Sequence, residues 1–358
     1  MRRLGLILLL FIACIGGFAA WLDQKVSKPY KGYRTQQVFV EIPRGTSRWA
    51  ISGILKKNKV IRSRIAFEAI TRWHHRHALQ AGEYEFDAPM TEREVFWKVA
   101  NGRVFVYVVQ IPEGWTMYDI ADSVDKKGII SRAAFLKAAS DPSLVHDLDP
   151  GAKTLEGYLF PSTYEFSRSI TPHQMAATMV NQFRTVWTRL NASAGNPGVP
   201  ASEIVTMASL VERETPLGTE RPLVAGVFYN RLRQGLPLQC DPTVQYALLM
   251  SGHPTPVLTH ADLDFYSPYN TYEHAGLPPG PIANPGEASM RAALMPDQTN
   301  YLYFVADDMG GHTFSRTLAE HNRAVKKYRK RLEDDAVNHA ASDQASPVAE
   351  PEPSRIPR

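Results

Sequence analysis

Cysteine is nearly missing from this chain. Only Cys14 and Cys240 occur, and Cys14 lies inside an apolar run. No disulfide can therefore be proposed within the rest of the chain, and a cysteine-based zinc site is excluded by the same count. The fold has to be held by its core. Strong charge is lacking as well: a net charge of +4 over 358 residues is too mild to argue for nucleic acid, and no basic patch interleaved with aromatics supports such a partner. No glycine-rich loop has the spacing that cradles phosphate, and no Ser-His-Asp set stands out. "HHRHA", beginning at His74, has no carboxylate nearby in the right register to complete a metal site. Neither a metal nor a cofactor is expected.

What is present suits a folded protein. Hydrophobic residues make up 44% and charged residues 21%, and the length allows about two domains. The N-terminus carries "LGLILLLFIACIGGFAAWL" over residues 4–22, uncharged and preceded by Arg2 and Arg3. At about 1.5 Å per residue this run just spans a hydrocarbon core of about 30 Å. A signal peptide competes with an uncleaved anchor, since Gly17 and Ala19 make a small-residue cleavage site. The length of the run and the interfacial Trp21 favour the anchor. Lys25, Lys28, Lys31 and Arg34 offset the charges on the other side, yet either reading places residues 23 onward outside the cytoplasm. A polar tether is expected over residues 29–35.

A repeat follows. "VEIPRGTSRWAISGILKKNKVIRSRIAF" (40–67) resembles "VQIPEGWTMYDIADSVDKKGIISRAAF" (109–135). Pro43 matches Pro112, Gly45 matches Gly114 and Ile51 matches Ile120, which indicates a duplicated supersecondary unit. Alternation over 38–42 predicts a strand ended by Pro-x-Gly turn chemistry. Helical spacing follows from Trp49, and Ser63 can cap a second helix. "AGEYEF" predicts a strand after the first copy, then a helix with a Thr91–Glu94 capping box and Gly102 at its end. "EGYLFPSTYEF" plays the strand role after the second copy, and Thr171 with Pro172 opens the next helix. The fold class expected is α+β.

The second half should hold helices over about 202–215 and about 219–234, and a third in "CDPTVQYALLMSG" (240–252), capped by Asp241 or Thr243. A long loop rich in Pro, Gly, Asn and Tyr comes next, of the kind that is usually functional. "YLYFVADDMGGHTFS" predicts a hairpin turning near Gly310 and Gly311. A basic amphipathic helix closes the domain near Leu332, and residues 333–358 read as a disordered tail.

"ASLVERET" (208–215) ends the first of these helices. On a wheel with Ile204 at zero, Glu212 falls at about 80° and Glu214 at about 280°, at the two margins of the apolar arc. Arg213 points away, towards solvent. Apolar neighbours and a helix C-terminus both raise a carboxyl pKa, as a general acid near neutral pH requires. The wheel does not choose between the two glutamates.

"LEGYLFPSTY", "ASLVERET", "ERPLVAGVFYNRL", "LQCDPTVQYAL", "SPYNTY", "GLPPGPIANPG" and "YLYFVADDMGGHTFS" occur in this order. Together they resemble the endolytic murein transglycosylases, the YceG-like family, over about residues 36–330. The resemblance implies residues 1–35 as cytoplasmic tip, single transmembrane helix and tether. It further implies a LysM-like module at 36–107 and a catalytic domain at 108–332. It implies an inner-membrane protein whose catalytic part faces the periplasm and acts on the glycan strands of peptidoglycan, beside the synthases that polymerise them. The glutamate directly after the valine, Glu212, is the acid/base that the resemblance implies, with Glu214 as a structural neighbour. Asn230, Gln239, Asp241, Thr243, Tyr269, Asn270 and Tyr272 lie in matching motifs and suit sugar binding through stacking and hydrogen bonds.

The implied reaction cleaves the MurNAc–GlcNAc bond without water. The acid protonates the glycosidic oxygen, then as carboxylate takes the proton of the C6 hydroxyl, which closes on C1 to leave a 1,6-anhydro end. The high effective molarity of that hydroxyl replaces an activated water, so one carboxyl group suffices where a glycosidase generally needs two. Asp241 and Glu156 are the candidates for a second carboxylate, but capping for Asp241 and a turn or ion pair for Glu156 are the plainer roles. Arg221 and Arg231 could meet peptide carboxylates, or be merely solvated. Two rivals remain: a hydrolase using water, and a non-catalytic glycan-binding scaffold.

Overall fold

The computed structural model describes residues 16–17, 27–195, 198–307 and 310–345, and in it the duplicated pattern becomes two strand–helix–helix–strand units. The first runs β1 (Val38–Ile42), α1 (Arg48–Lys57), α2 (Arg64–Trp73) and β2 (Gly82–Phe86), and is followed by α3 (Glu92–Ala100). The second runs β3 (Tyr107–Gln110), α4 (Met117–Lys126), α5 (Arg132–Ala139) and β4 (Thr163–Phe166). Each copy closes by antiparallel pairing of its outer strands, Val38 opposite Phe86 in one and Tyr107 opposite Phe166 in the other. The turn after each first strand uses a glycine at positive φ, Gly45 at 78° and Gly114 at 77°, where a side chain would be strained. Ser63 accepts from Ala66 N and Ser131 from Ala134 N, so matching caps start the second helix of each copy.

The chain divides into two compact units. The first holds the described residues up to Gln110, with Lys126–Ile130 and Thr163–Met175; the second holds Ile111–Asp125, Ser131–Ser162 and the described residues from Ala176 onward. In the first unit Val40 and Ile42 of β1 and Tyr84 and Phe86 of β2 pack with Leu55, Phe67, Val95 and Phe96 from the three helices. Alternation along β1 puts Val40 and Ile42 on the buried face, as a half-buried strand requires. The Thr91–Glu94 capping box forms, and Gly102 at φ 63° follows the cap residue Asn101. Residues expected as a tether are partly pinned here, because Tyr30 exchanges backbone hydrogen bonds with Met90. The rings of His74 and His77 pack beside Trp97, that of His74 also against Phe96.

Helix α6 (Pro172–Ser193) starts at the expected Thr171–Pro172 and leads into α7 (Ala201–Glu214), α8 (Arg221–Arg233) and α9 (Asp241–Met250). Two further pieces complete the second unit: α10 (Glu287–Leu294), and the hairpin β5 (Tyr303–Ala306) and β6 (His312–Ser315) with α11 (Leu318–Ala345) against it. α7 is the spine, buried without interruption from Ile204 to Val211, with α8, α9 and α10 packed on it. Helix α10 had no counterpart among the expectations. The long loop before it is irregular, as expected, and delivers Gly286 as the N-cap of α10. α9 is capped by Cys240, not by Asp241 or Thr243: Asp241 is its first residue, and the Thr243 hydroxyl donates back to Cys240 O at 2.6 Å.

Among the described residues the architecture is a mixed α+β one, with eleven α-helices and three two-stranded antiparallel sheets. No helix among them is long and apolar enough to cross a membrane. The apolar run at 4–22 lies outside the described residues except for Gly16 and Gly17. α11 continues to Ala345, beyond the end expected near Leu332.

Gly157 is needed twice over, by its φ of 85° and by a close approach. A Cβ there would stand 2.5 Å from Pro281 side-chain atoms and 2.9 Å from Val205. Gly157→Ala should therefore cost about 2 kcal/mol or more, read as a lower urea midpoint with an unchanged m-value.

Candidate functional site

The last turn of α7 sends its two glutamates to different places. Glu212, on one margin of the apolar face, keeps only 5% of its side chain exposed. Its Oε1 accepts from Arg221 Nη2 at 2.9 Å and its Oε2 from Gly286 N at 3.0 Å. Arg221, itself buried, also approaches Glu113 at 3.6 Å. Gly286 permits this approach: a Cβ there would collide with the Glu113 carboxylate. Glu212 thus ties α7 to the start of α8 and to the cap of α10. Arg213 is exposed, as the wheel placed it, and reaches back to Gly114 O at 3.3 Å.

Glu214, on the other margin, lines an open cavity of about 420 Å³ with Arg231, Gln239, Asp241, Tyr272 and His321. Burial pushes its carboxyl up to about 7; a hydrogen bond from Cys240 opposes that shift and the charge of Asp241 adds to it. Cys240 Sγ lies 3.3 Å from Oε2. Among the described residues, the expected property of a carboxyl that is half-protonated near neutral pH and open to a cavity belongs to Glu214.

The seven proposed sugar-binding residues separate in the same way. Gln239, Asp241 and Tyr272 line the cavity, with the Tyr272 hydroxyl donating to Asp241 Oδ1. Gln239 sits at the strained φ of 54°, and its amide oxygen accepts from Arg231, which holds the side chain at the rim. Asn230, Thr243 and Asn270 are not available for sugar: all three are buried and their polar atoms are already used. Asn230 Nδ2 donates to Thr299 O and Tyr301 O, both at 2.8 Å. Asn270 Nδ2 donates to Leu263 O and Phe265 O, holding the long loop in shape. Tyr269 packs on the ring of Tyr246, away from the Glu214 cavity.

The arginines are not solvated. Arg231 is buried and spends its guanidinium on Pro237 O, Leu302 O and Gln239 Oε1 under the ring of Tyr303. Glu156 sits in a turn, as expected, closed by Tyr158 N donating to Leu155 O at 3.0 Å. Its carboxylate makes no ion pair among the described residues and serves longer-range contacts instead. It accepts from Met117 N at 3.0 Å, from Asn284 Nδ2 at 2.8 Å and from the Tyr246 hydroxyl at 3.1 Å. Burial pushes it up to about 8. It joins the start of α4 to α9 and to the loop before α10, and it does not line the Glu214 cavity. Tyr303, within the quoted hairpin motif, and His321 of the cavity wall were not among the expected site residues, because they lie about a hundred residues from α7 and only folding brings them together.

The sequence model of the YceG-like family matches residues 40–327. The chain belongs to the YceG-like family. It is 35% identical over 330 residues to a protein of Bacillus subtilis (strain 168) named endolytic murein transglycosylase, covering 88% of this chain and 91% of that one. It is 28% identical over 354 residues to one of the same name from Streptococcus pneumoniae (strain D39), covering 89% of this chain and 64% of that one. The crystal structure of a yceG-like protein from Listeria monocytogenes covers 80% of this chain at 36% identity with a TM-score of 0.55. The YceG-like match takes in both compact units and every residue of the cavity.

Proposed function

We propose that this protein is a lytic transglycosylase of peptidoglycan, with Glu214 rather than Glu212 as its acid/base. Relatives named endolytic murein transglycosylase support the reaction. The single observation that carries the residue assignment is the position of Glu214: a carboxyl raised to about 7, open to a cavity of polar and aromatic side chains. Glu212 has both oxygens committed, one to a guanidinium. A general acid must hold a proton at working pH and reach the leaving oxygen, and Glu214 meets both requirements.

The chemistry follows from one carboxyl group. Protonated Glu214 gives its proton to the glycosidic oxygen as the bond to C1 breaks. The carboxylate then removes the C6 hydroxyl proton, and that oxygen bonds to C1 of the same sugar. The proton returns to Glu214 and the strand ends in 1,6-anhydroMurNAc. Burial serves both half-reactions by keeping the pKa between acid and base roles. Gln239 and Tyr272 at the rim are suited to hold the sugar, by amide hydrogen bonds and stacking.

Other parts of the reading rest on sequence and resemblance. Residues 4–22 serve as a single inner-membrane anchor, the catalytic part lies in the periplasm, and residues 36–107 form a LysM-like glycan-binding module. The enzyme ends nascent strands beside their synthases. Asp241 supports one alternative, since it shares the cavity with Glu214 and could direct a water in an ordinary hydrolase. Digestion of purified sacculi, with products identified by mass, decides between them. Anhydro ends are expected; reducing ends from wild type would establish the hydrolase instead, and no cleavage by wild type would leave a scaffold.

A further inference from the structure

The start of α9 presents a buried thiol to the acid. Cys240 is 1% exposed, is not in a disulfide, and its Sγ lies 3.3 Å from Glu214 Oε2. Its backbone is fixed from both sides by two buried threonines. Cys240 N donates to Thr271 Oγ1 at 3.0 Å, Cys240 O accepts from Thr243 Oγ1 at 2.6 Å, and the two hydroxyls meet at 2.9 Å. The preceding residue is held too, with Gln239 N donating to Thr271 O at 3.0 Å. The clamp fixes the backbone from which the thiol projects, and the hydrogen bond of Sγ runs to Glu214. Burial beside a carboxylate pushes Cys240 well up, so the S–H is retained and available to donate.

We propose that Cys240 is a positioning residue for Glu214: its clamped thiol donates to Oε2, fixes the carboxyl rotamer, and leaves Oε1 for the glycan. The inference rests on Glu214 being the acid/base. It also assigns work to Thr243 and Thr271, which hold the Cys240 backbone and do not touch sugar. Because the S–H favours the carboxylate form, it offsets part of the shift caused by burial. The other groups facing Glu214 are Asp241 beside the thiol, Arg231 of α8, Tyr272 of the loop, Tyr303 of β5 and His321 of α11. Within α7, Glu212 is turned to Arg221 and Arg213 to solvent. Each of these stays in place when only the sulfur is removed.

The test is a pH series of kcat and KM on soluble uncrosslinked glycan, with full-length wild type, Cys240→Ala and Cys240→Ser. In Cys240→Ala, kcat should fall about 3- to 10-fold with KM nearly unchanged, and the alkaline limb should move up by about half a pH unit, the size of one weak hydrogen bond to a carboxylate. Cys240→Ser keeps a donor and should restore both the rate and the limb to wild type or slightly below in pH. An alkaline limb that stays put in Cys240→Ala overturns the proposal, whether or not its melting temperature falls. So does a serine variant that matches alanine in both readouts. Full activity of Glu214→Gln would instead remove the acid/base assignment itself, so the two failures are told apart.

Discussion

Glu214→Gln should lower anhydro-product formation by about 100- to 10,000-fold, the range attributed to a single general acid–base group, while leaving the melting temperature close to wild type. Glutamine keeps the size of the side chain and can still meet Cys240, so the cavity wall survives and only the transferable proton is lost. The wild-type rate should also decline as pH rises through about 7, since the acid form is the one that starts the reaction. Glu212→Gln makes the necessary contrast. It removes the charge paired with buried Arg221 and leaves the looser Glu113 contact as the ionic partner of the guanidinium. Breaking such a pair costs about 3 kcal/mol, so its activity should fall together with its melting temperature. The outcome that would return the acid role to Glu212 is a stable, inactive Glu212→Gln beside an active Glu214→Gln. Activity must therefore be measured together with thermal melts, because either glutamate can appear essential by activity alone.

Glu156→Ala is expected to be the most damaging change to the fold, by about 3 kcal/mol or more. It would leave Met117 N, Asn284 Nδ2 and the Tyr246 hydroxyl without their shared acceptor in a site closed to water. Glu156→Gln should be far milder, because the amide oxygen still accepts from Met117 and Asn284 and the amide N–H can meet the Tyr246 hydroxyl. The pH dependence has a definite sign. The folded pKa is raised from its ordinary 4.5 to about 8, chiefly by burial, so the folded chain binds the proton more tightly than the unfolded one. The stability this provides is whole below about 4.5 and is lost as pH rises to about 8, at up to about 1.4 kcal/mol per pH unit. Urea midpoints across this window should fall with pH in wild type and fall less steeply in Glu156→Gln. Identical slopes for the two proteins would show that Glu156 stays ionised when buried.

Local patterning carried most of the fold. The matched I-P-x-G segments, with Ser63 and Ser131 at equivalent helix starts, foretold two copies of one unit, since caps and turns depend only on neighbours in sequence. The α7 wheel located both glutamates at the edges of a buried face for the same reason. That long motifs around them mark the YceG-like family was legible as well.

Only the tertiary structure ranked the two glutamates. Their partners, Arg221 and Gly286 for one and Cys240 with the cavity for the other, come from separate elements, and a wheel carries no record of which element packs on which margin. Burial of Asn230, Thr243 and Asn270 was hidden by the same limit: a polar residue in a motif reads alike whether it binds sugar or a distant carbonyl. The turn at Glu156 was legible, but its role as a shared acceptor was not, because its three donors lie at Met117, Tyr246 and Asn284, far apart along the chain. The sequence by itself determined which segments form helices and strands and which residue types the site contains. Long-range packing decided which carboxyl opens onto the cavity and which is tied to a guanidinium, because desolvation and ion pairing depend on atoms that the chain brings together only when it folds.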